Sequence, residues 1–146
     1  MIRVDSSAKI ARSPEEVFDF LVDLRNDLKW NPRAIRVEML TPAPIAIGTK
    51  FEGDWKSSPR TSVEVLAIDG KRSCETIGRA KGMLWHYRFQ CVSDGAFTNL
   101  DRTLEISFSG LLALFAPFLG STLRKQSATQ TQQIKQALER GHSTRV

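Results

Sequence analysis

Apolar and polar residues follow one rhythm near the start of the chain, a second through its middle and a third at its end. Residues 4–11 alternate, with Val4, Ser6, Ala8 and Ile10 on one face, which predicts a first strand. Ser13-Pro14-Glu15-Glu16 follows. Ser13 can cap, Pro14 suits a first helical position and Glu16 completes a capping box. Val17, Phe18, Leu21 and Leu24 then mark a short amphipathic helix, and Leu28, Trp30 and Asn31-Pro32 a second helical turn ended by the proline.

The period next changes to two. Ile35, Val37 and Met39 alternate with charge, as do Phe51, Gly53 and Trp55 after a proline-rich loop. Ser57-Ser58-Pro59 reads as a turn. Val63, Val65 and Ala67 alternate with Glu64, Leu66 and Ile68, a pattern that predicts a strand covered on both sides. Asp69-Gly70 and Ser93-Asp94-Gly95 are hairpin signals. They bracket strands at 73–79, whose phase the pattern leaves open, and at 83–92; a last strand spans 99–109. Gly78 and Gly82 read as turn or bulge positions.

The segment 117–140 has no proline or glycine after Gly120 and is predicted to be one long helix. Leu119, Leu123, Ile134 and Ala137 share a side, opposite Arg124, Lys125, Gln132, Lys135 and Glu139. Gln130 sits in the middle of the apolar side, with Gln126 and Ser127 at its edges. A buried polar residue there requires a partner, either protein, water or ligand; otherwise that stretch is simply solvated. Just before the helix, the run 111–116 is continuously apolar. Internal packing is the favoured reading, against an exposed lip suited to membrane docking or a dimer contact.

Short connections imply antiparallel pairing. The predicted architecture is α+β. A curved antiparallel sheet of about seven strands wraps a long C-terminal helix, with two short helices after strand 1. No linker or repeat divides the chain, so residues 1–146 are expected to form one domain. The net charge is +5, and the excess lies mostly after Ser121. A mixed basic face on a terminal helix is usually solvated, so no nucleic acid is expected. Cys74 and Cys91 lack metal-motif spacing and read as buried free thiols in a reducing compartment. No signal-peptide core and no apolar run of membrane-spanning length is present, so a cytoplasmic protein is expected.

Three stretches carry a family resemblance: Ala8-Lys9-Ile10-Ala11-Arg12-Ser13-Pro14-Glu15-Glu16-Val17-Phe18-Asp19, then Leu28-Lys29-Trp30-Asn31-Pro32, then Gly48-Thr49-Lys50-Phe51. With the long last helix, they make the chain resemble the START-like, Bet v 1-like superfamily (SRPBCC), in its bacterial polyketide cyclase/dehydrase-type branch. The resemblance implies a helix-grip fold with a cavity between sheet and last helix. It implies an apolar ligand such as a lipid, polyketide or quinone, or alternatively cyclase, aromatase or dehydrase chemistry. Fold alone does not choose between them.

Candidate site residues follow from phase. Trp85 and Tyr87 lie in the apolar set of the Met83 strand, and Leu104 in that of the last strand. Trp30, Phe51, Trp55, Leu123 and Gln130 are added as lining residues. Arg102 falls among apolar residues, where a buried guanidinium needs a partner. It either holds an anionic or carbonyl group of a ligand, or lies at the strand's open end, reaching solvent or a carboxylate. Nearness to Asp94-Gly95 favours the second reading. Tyr87 needs a partner for its hydroxyl if buried. Glu75 is a further candidate wall residue. His86 is predicted to point outward with no in-phase carboxylate, and His142 to lie in a frayed tail, so no catalytic constellation is recognisable. No cofactor or metal is expected. Partners are expected to be an apolar small molecule, with peripheral membrane contact and a monomer or homodimer left open. A third hypothesis gives the basic helix face (Arg124, Lys125, Lys135) an acidic protein partner.

Overall fold

The computed structural model describes residues 1–56 and 58–143, with side chains to residue 140. Ser57 of the expected turn, the side chain of His142 and Arg145 lie outside the described residues. Strand β1 (Ile2–Ile10) leads to α1 (Pro14–Val22), a 3-10 turn at Leu24–Asn26 and α2 (Asp27–Trp30). Six strands follow: β2 (Ala34–Met39), β3 (Lys50–Trp55), β4 (Ser58–Asp69), β5 (Ser73–Ala80), β6 (Met83–Asp94) and β7 (Phe97–Phe108). A 3-10 segment, Gly110–Leu114, runs into α3 (Ala116–Ser143).

All seven strands form one antiparallel sheet in the order β1-β7-β6-β5-β4-β3-β2. Strands β2 to β7 are therefore a meander, and β1 completes the sheet beside the last strand. The register pairs Ser6 with Arg102, Tyr87 with Leu104, and Trp85 with Ile106 and Gly78. The curved sheet and α3 form the predicted helix-grip arrangement. Its closed end is apolar: Ile10, Val17, Phe18, Phe89, Leu100 and Ile134 are buried in one cluster. Ser13 caps α1 and Pro14 sits at its start, as predicted. Ser13 Oγ accepts from the Glu16 N–H at 3.2 Å, and Glu16 Oε1 accepts from Ser13 Oγ at 3.3 Å.

Four expectations about the strands and the apolar run change. β4 is not covered on both sides. Its register shifts between Val65 and Ala67, so Leu66 faces out and Ile68 joins the core after the bulge. A shift at the start of β2 likewise leaves Ile35 exposed. Gly78 marks neither turn nor bulge. It is a regularly paired position beneath Trp85, where an added Cβ would lie 2.2 Å from the indole. Finally, the run before α3 is not packed inside. Leu111, Leu114 and Phe115 are 79%, 69% and 57% exposed, and Phe118 is 77% exposed.

Candidate ligand site

Arg102 is the centre of the interior. Its place in β7 aims it from the concave face of the sheet toward α3, and it is only 8% exposed. The expectation that it reaches solvent or a carboxylate at the strand end is therefore overturned. The strand continues as far as Phe97, and α3 covers this position. Arg102 Nε donates to the Tyr87 hydroxyl at 2.8 Å, and Nη1 to Thr131 Oγ1 at 2.9 Å and to the Ser127 carbonyl at 3.3 Å. Nη2 makes one long contact, 3.4 Å, to Gln130 Oε1. The guanidinium also lies over the rings of Tyr87, at 5.2 Å, and Trp30, at 5.9 Å.

Hydroxyl bookkeeping fixes the direction of the surrounding bonds. Each hydroxyl has one proton. Thr131 gives its own to the Ser127 carbonyl at 3.0 Å, so it accepts from both Arg102 and Ser6 Oγ, the latter at 2.7 Å. Ser6 Oγ then accepts from Ser127 Oγ at 3.0 Å. One chain of bonds thus ties β1, β7 and α3 together. Every partner of Arg102 in it is neutral, and among the described residues no carboxylate lies within ion-pair distance of the guanidinium.

The acid closest in influence is Asp27, at the start of α2. Its Oδ2 accepts from Trp55 Nε1 at 3.1 Å. Burial pushes its carboxyl up to about 6, against the opposing pull of the Trp55 N–H, the Arg102 charge and the Trp30 N–H. That last interaction falls short of a complete hydrogen bond, so Trp30 Nε1 remains a buried donor without a full partner. Burial likewise raises the Tyr87 hydroxyl above its ordinary value, so it keeps its proton at neutral pH. That proton has no acceptor among the described residues, because Tyr87 receives, rather than gives, the bond from Arg102. Three donors in this group are therefore under-used: Arg102 Nη2, Tyr87 O–H and Trp30 N–H.

The candidate residues divide into groups. Trp30, Tyr87, Arg102 and Gln130 come together here, and Trp55 joins through Asp27. Phe51 is fully buried in the apolar cluster, at packing distance from the core rather than in this polar group. Trp85, Leu104 and Leu123 lie toward the start of α3 and stay half-buried, so the concave face retains solvent-accessible apolar surface there. Glu75 is not a wall residue. Cys74, Thr76 and Gly78 occupy the inner phase of β5, which puts Glu75 outside, 3.5 Å from Arg88. His86 faces outward as predicted, but it does have carboxylates beside it, Glu75 at 4.0 Å and Glu105 at 3.9 Å. Cross-strand register brings these together, which spacing along one strand cannot reveal. Lys135 leaves the basic face, bound to the Lys9 carbonyl at 2.5 Å and to Glu139 at 2.9 Å.

Asp27, Ser127 and Thr131 belong to this group although the sequence does not single them out as lining residues. Ser127 and Thr131 stand four apart and Thr131 three before Ile134, which is the inward helical stripe. That spacing was a usable signal. Asp27 had none, because only the fold places it under Trp55.

Residues 1–139 match the family model described as polyketide cyclase / dehydrase and lipid transport. No curated protein matches the sequence. Among solved structures, the chain is similar to the Zhui aromatase/cyclase from Streptomyces sp. R1128, with a TM-score of 0.76 at 15% identity over 94% of this chain and 93% of that one. It is also similar to a START superfamily protein from Mycobacterium smegmatis, with a TM-score of 0.73 at 16% identity over 99% of both chains. A third similar structure, TTHA0849 from Thermus thermophilus, gives a TM-score of 0.74 at 11% identity over 95% of this chain and 98% of that one. At such identities these likenesses speak for the fold alone.

Proposed function

Since this chain belongs to the polyketide cyclase / dehydrase and lipid transport family, we propose that it binds an apolar small molecule between sheet and α3, with an oxygen of that molecule held at Arg102. One observation carries the reading. A guanidinium is buried among neutral partners and flanked by two under-used donors, Tyr87 O–H and Trp30 N–H. Burying a charge without a directly paired counter-charge costs several kcal/mol as an order of magnitude, and Asp27 acts on Arg102 only from beyond ion-pair distance. A carbonyl, enolate or carboxylate oxygen at the guanidinium would relieve that cost and give under-used donors of this group an acceptor. The half-buried Trp85, Leu104 and Leu123 would cover the hydrocarbon part. A reducing, cytoplasmic setting suits the two buried thiols, whose proton affinity burial raises to about 12.

Native mass spectrometry of protein taken gently from its own host should reveal a bound small molecule. Arg102→Met, which fills similar space without charge, should lose that adduct while the protein still unfolds cooperatively. A protein that arrives empty, and that takes up anilinonaphthalene sulfonate equally well with and without Arg102, would defeat the reading.

A second reading rests on Asp27. A carboxyl pushed up to about 6, electrostatically coupled to Arg102 and Tyr87, is mostly ionised at neutral pH yet close enough to its midpoint to take and return a proton while the guanidinium steadies an enolate. This is chemistry of the cyclase or dehydrase kind. It predicts that Asp27→Asn abolishes turnover of a poly-β-ketone yet leaves binding intact.

A further inference from the structure

The exposed apolar lip needs a separate account, because the interior site does not use it. Leu111, Leu114, Phe115 and Phe118 project from the 3-10 segment and the first turn of α3, at 79%, 69%, 57% and 77% exposure. Isolated exposed apolar residues are ordinary, but four large ones within eight positions make a patch. The surroundings are basic. Sequence positions 106–138 contain no acidic residue. Gly82 packs against Leu112, so the exposed Lys81 stands beside the lip. Lys125 lies seven positions after Phe118, on the same outward stripe of α3 and about 10 Å further along. Arg124 shares with Phe118 and Pro117 a groove of about 600 Å³ that β1 closes through Ile2 and Arg3. Among the described residues, Lys81, Arg124 and Lys125 make no ion pair; Arg3 is paired with Asp5.

We infer that this lip is a docking surface for an anionic lipid bilayer. The apolar side chains enter the boundary between headgroups and acyl chains, and Lys81, Arg124 and Lys125 meet lipid phosphates at headgroup depth. Apolar tips with cations set back from them suit an interface that is apolar inside and negative at its surface. A second copy of the chain fits less well. A two-fold contact through the lip would bring the unpaired cations of both copies together in a shielded space. The surface is distinct from the Arg102 cluster, so docking does not depend on what occupies the interior.

Flotation of the full chain with phosphatidylcholine vesicles, with and without phosphatidylglycerol, tests this. Binding should require phosphatidylglycerol and weaken with salt. Phe115→Ser combined with Phe118→Ser should reduce partitioning at least roughly tenfold, since the apolar contact goes. Arg124→Gln and Lys125→Gln should each reduce it roughly fivefold. Thermal unfolding followed by circular dichroism should stay unchanged in all of these variants, because the side chains are exposed. Arg102→Met should float like the parent, which separates a failure here from a failure of the interior site. The inference is overturned if the parent protein does not float with phosphatidylglycerol vesicles at low salt. It is equally overturned if the serine variants float as well as the parent, or if the lip instead supports a dimer that those substitutions dissolve.

Discussion

Asp27 shows how one half-buried side chain ties stability to pH. Its carboxyl is pushed from an ordinary 3.8 up to about 6, so the folded protein binds a proton that the unfolded chain has already released. Its contribution to stability is complete below about pH 3.8 and is lost as pH rises through about 6. The difference in unfolding free energy between parent and Asp27→Asn should shift by on the order of 3 kcal/mol from pH 4 to 7, with the parent losing ground as pH rises. Urea denaturation of both proteins across that range measures it, and parallel profiles would show that the carboxyl is not so perturbed. The residue scale is also where the sequence misled. Arg102 beside a predicted turn looked solvent-bound, yet the helix that covers it comes from a segment more than twenty residues later.

At the scale of elements, the paired strands β5 and β6 carry a fitted detail. Gly78 leaves space for the Trp85 indole, which a Cβ would meet at 2.2–2.5 Å. Gly78→Ala should destabilise by about 1–3 kcal/mol, as overpacking does. Trp85→Leu should recover much of that loss in the double variant, which chemical denaturation of the four-member cycle can read. If Gly78→Ala is neutral, the indole has another place to go. Element types were legible along most of the chain, since period and capping signals are local. The β4 bulge was not. A bulge is one unpaired residue in a ladder, and only the partner strand reveals it.

For the whole molecule, α3 is buried unequally along its length. Ile134, late in α3, is fully buried in a cluster with Ile10, Phe18 and Leu100. Leu123, near its start, is half-buried, as are Trp85 and Leu104 on the sheet. Ile134→Ala should cost about 2–5 kcal/mol, in the range for a buried aliphatic truncation. Leu123→Ala should cost less than about half that and should change uptake of anilinonaphthalene sulfonate instead. Denaturation and fluorescence titration separate the outcomes, and equal stability losses at both positions would mean that α3 is equally buried at both.

By itself, the sequence determined the order and kind of the elements, the start of α1, the inward phase of β6 and β7, and the family to which these point. Those properties depend on neighbours a few positions away, where side-chain period and backbone preference act directly. Only the tertiary structure decided that Arg102 is buried among neutral partners, that Asp27 lies beneath Trp55, and that the run before α3 stays outside. Each depends on which distant segment comes to lie against it. Burial and electrostatic environment belong to that pairing and not to the residue, so no local pattern can encode them.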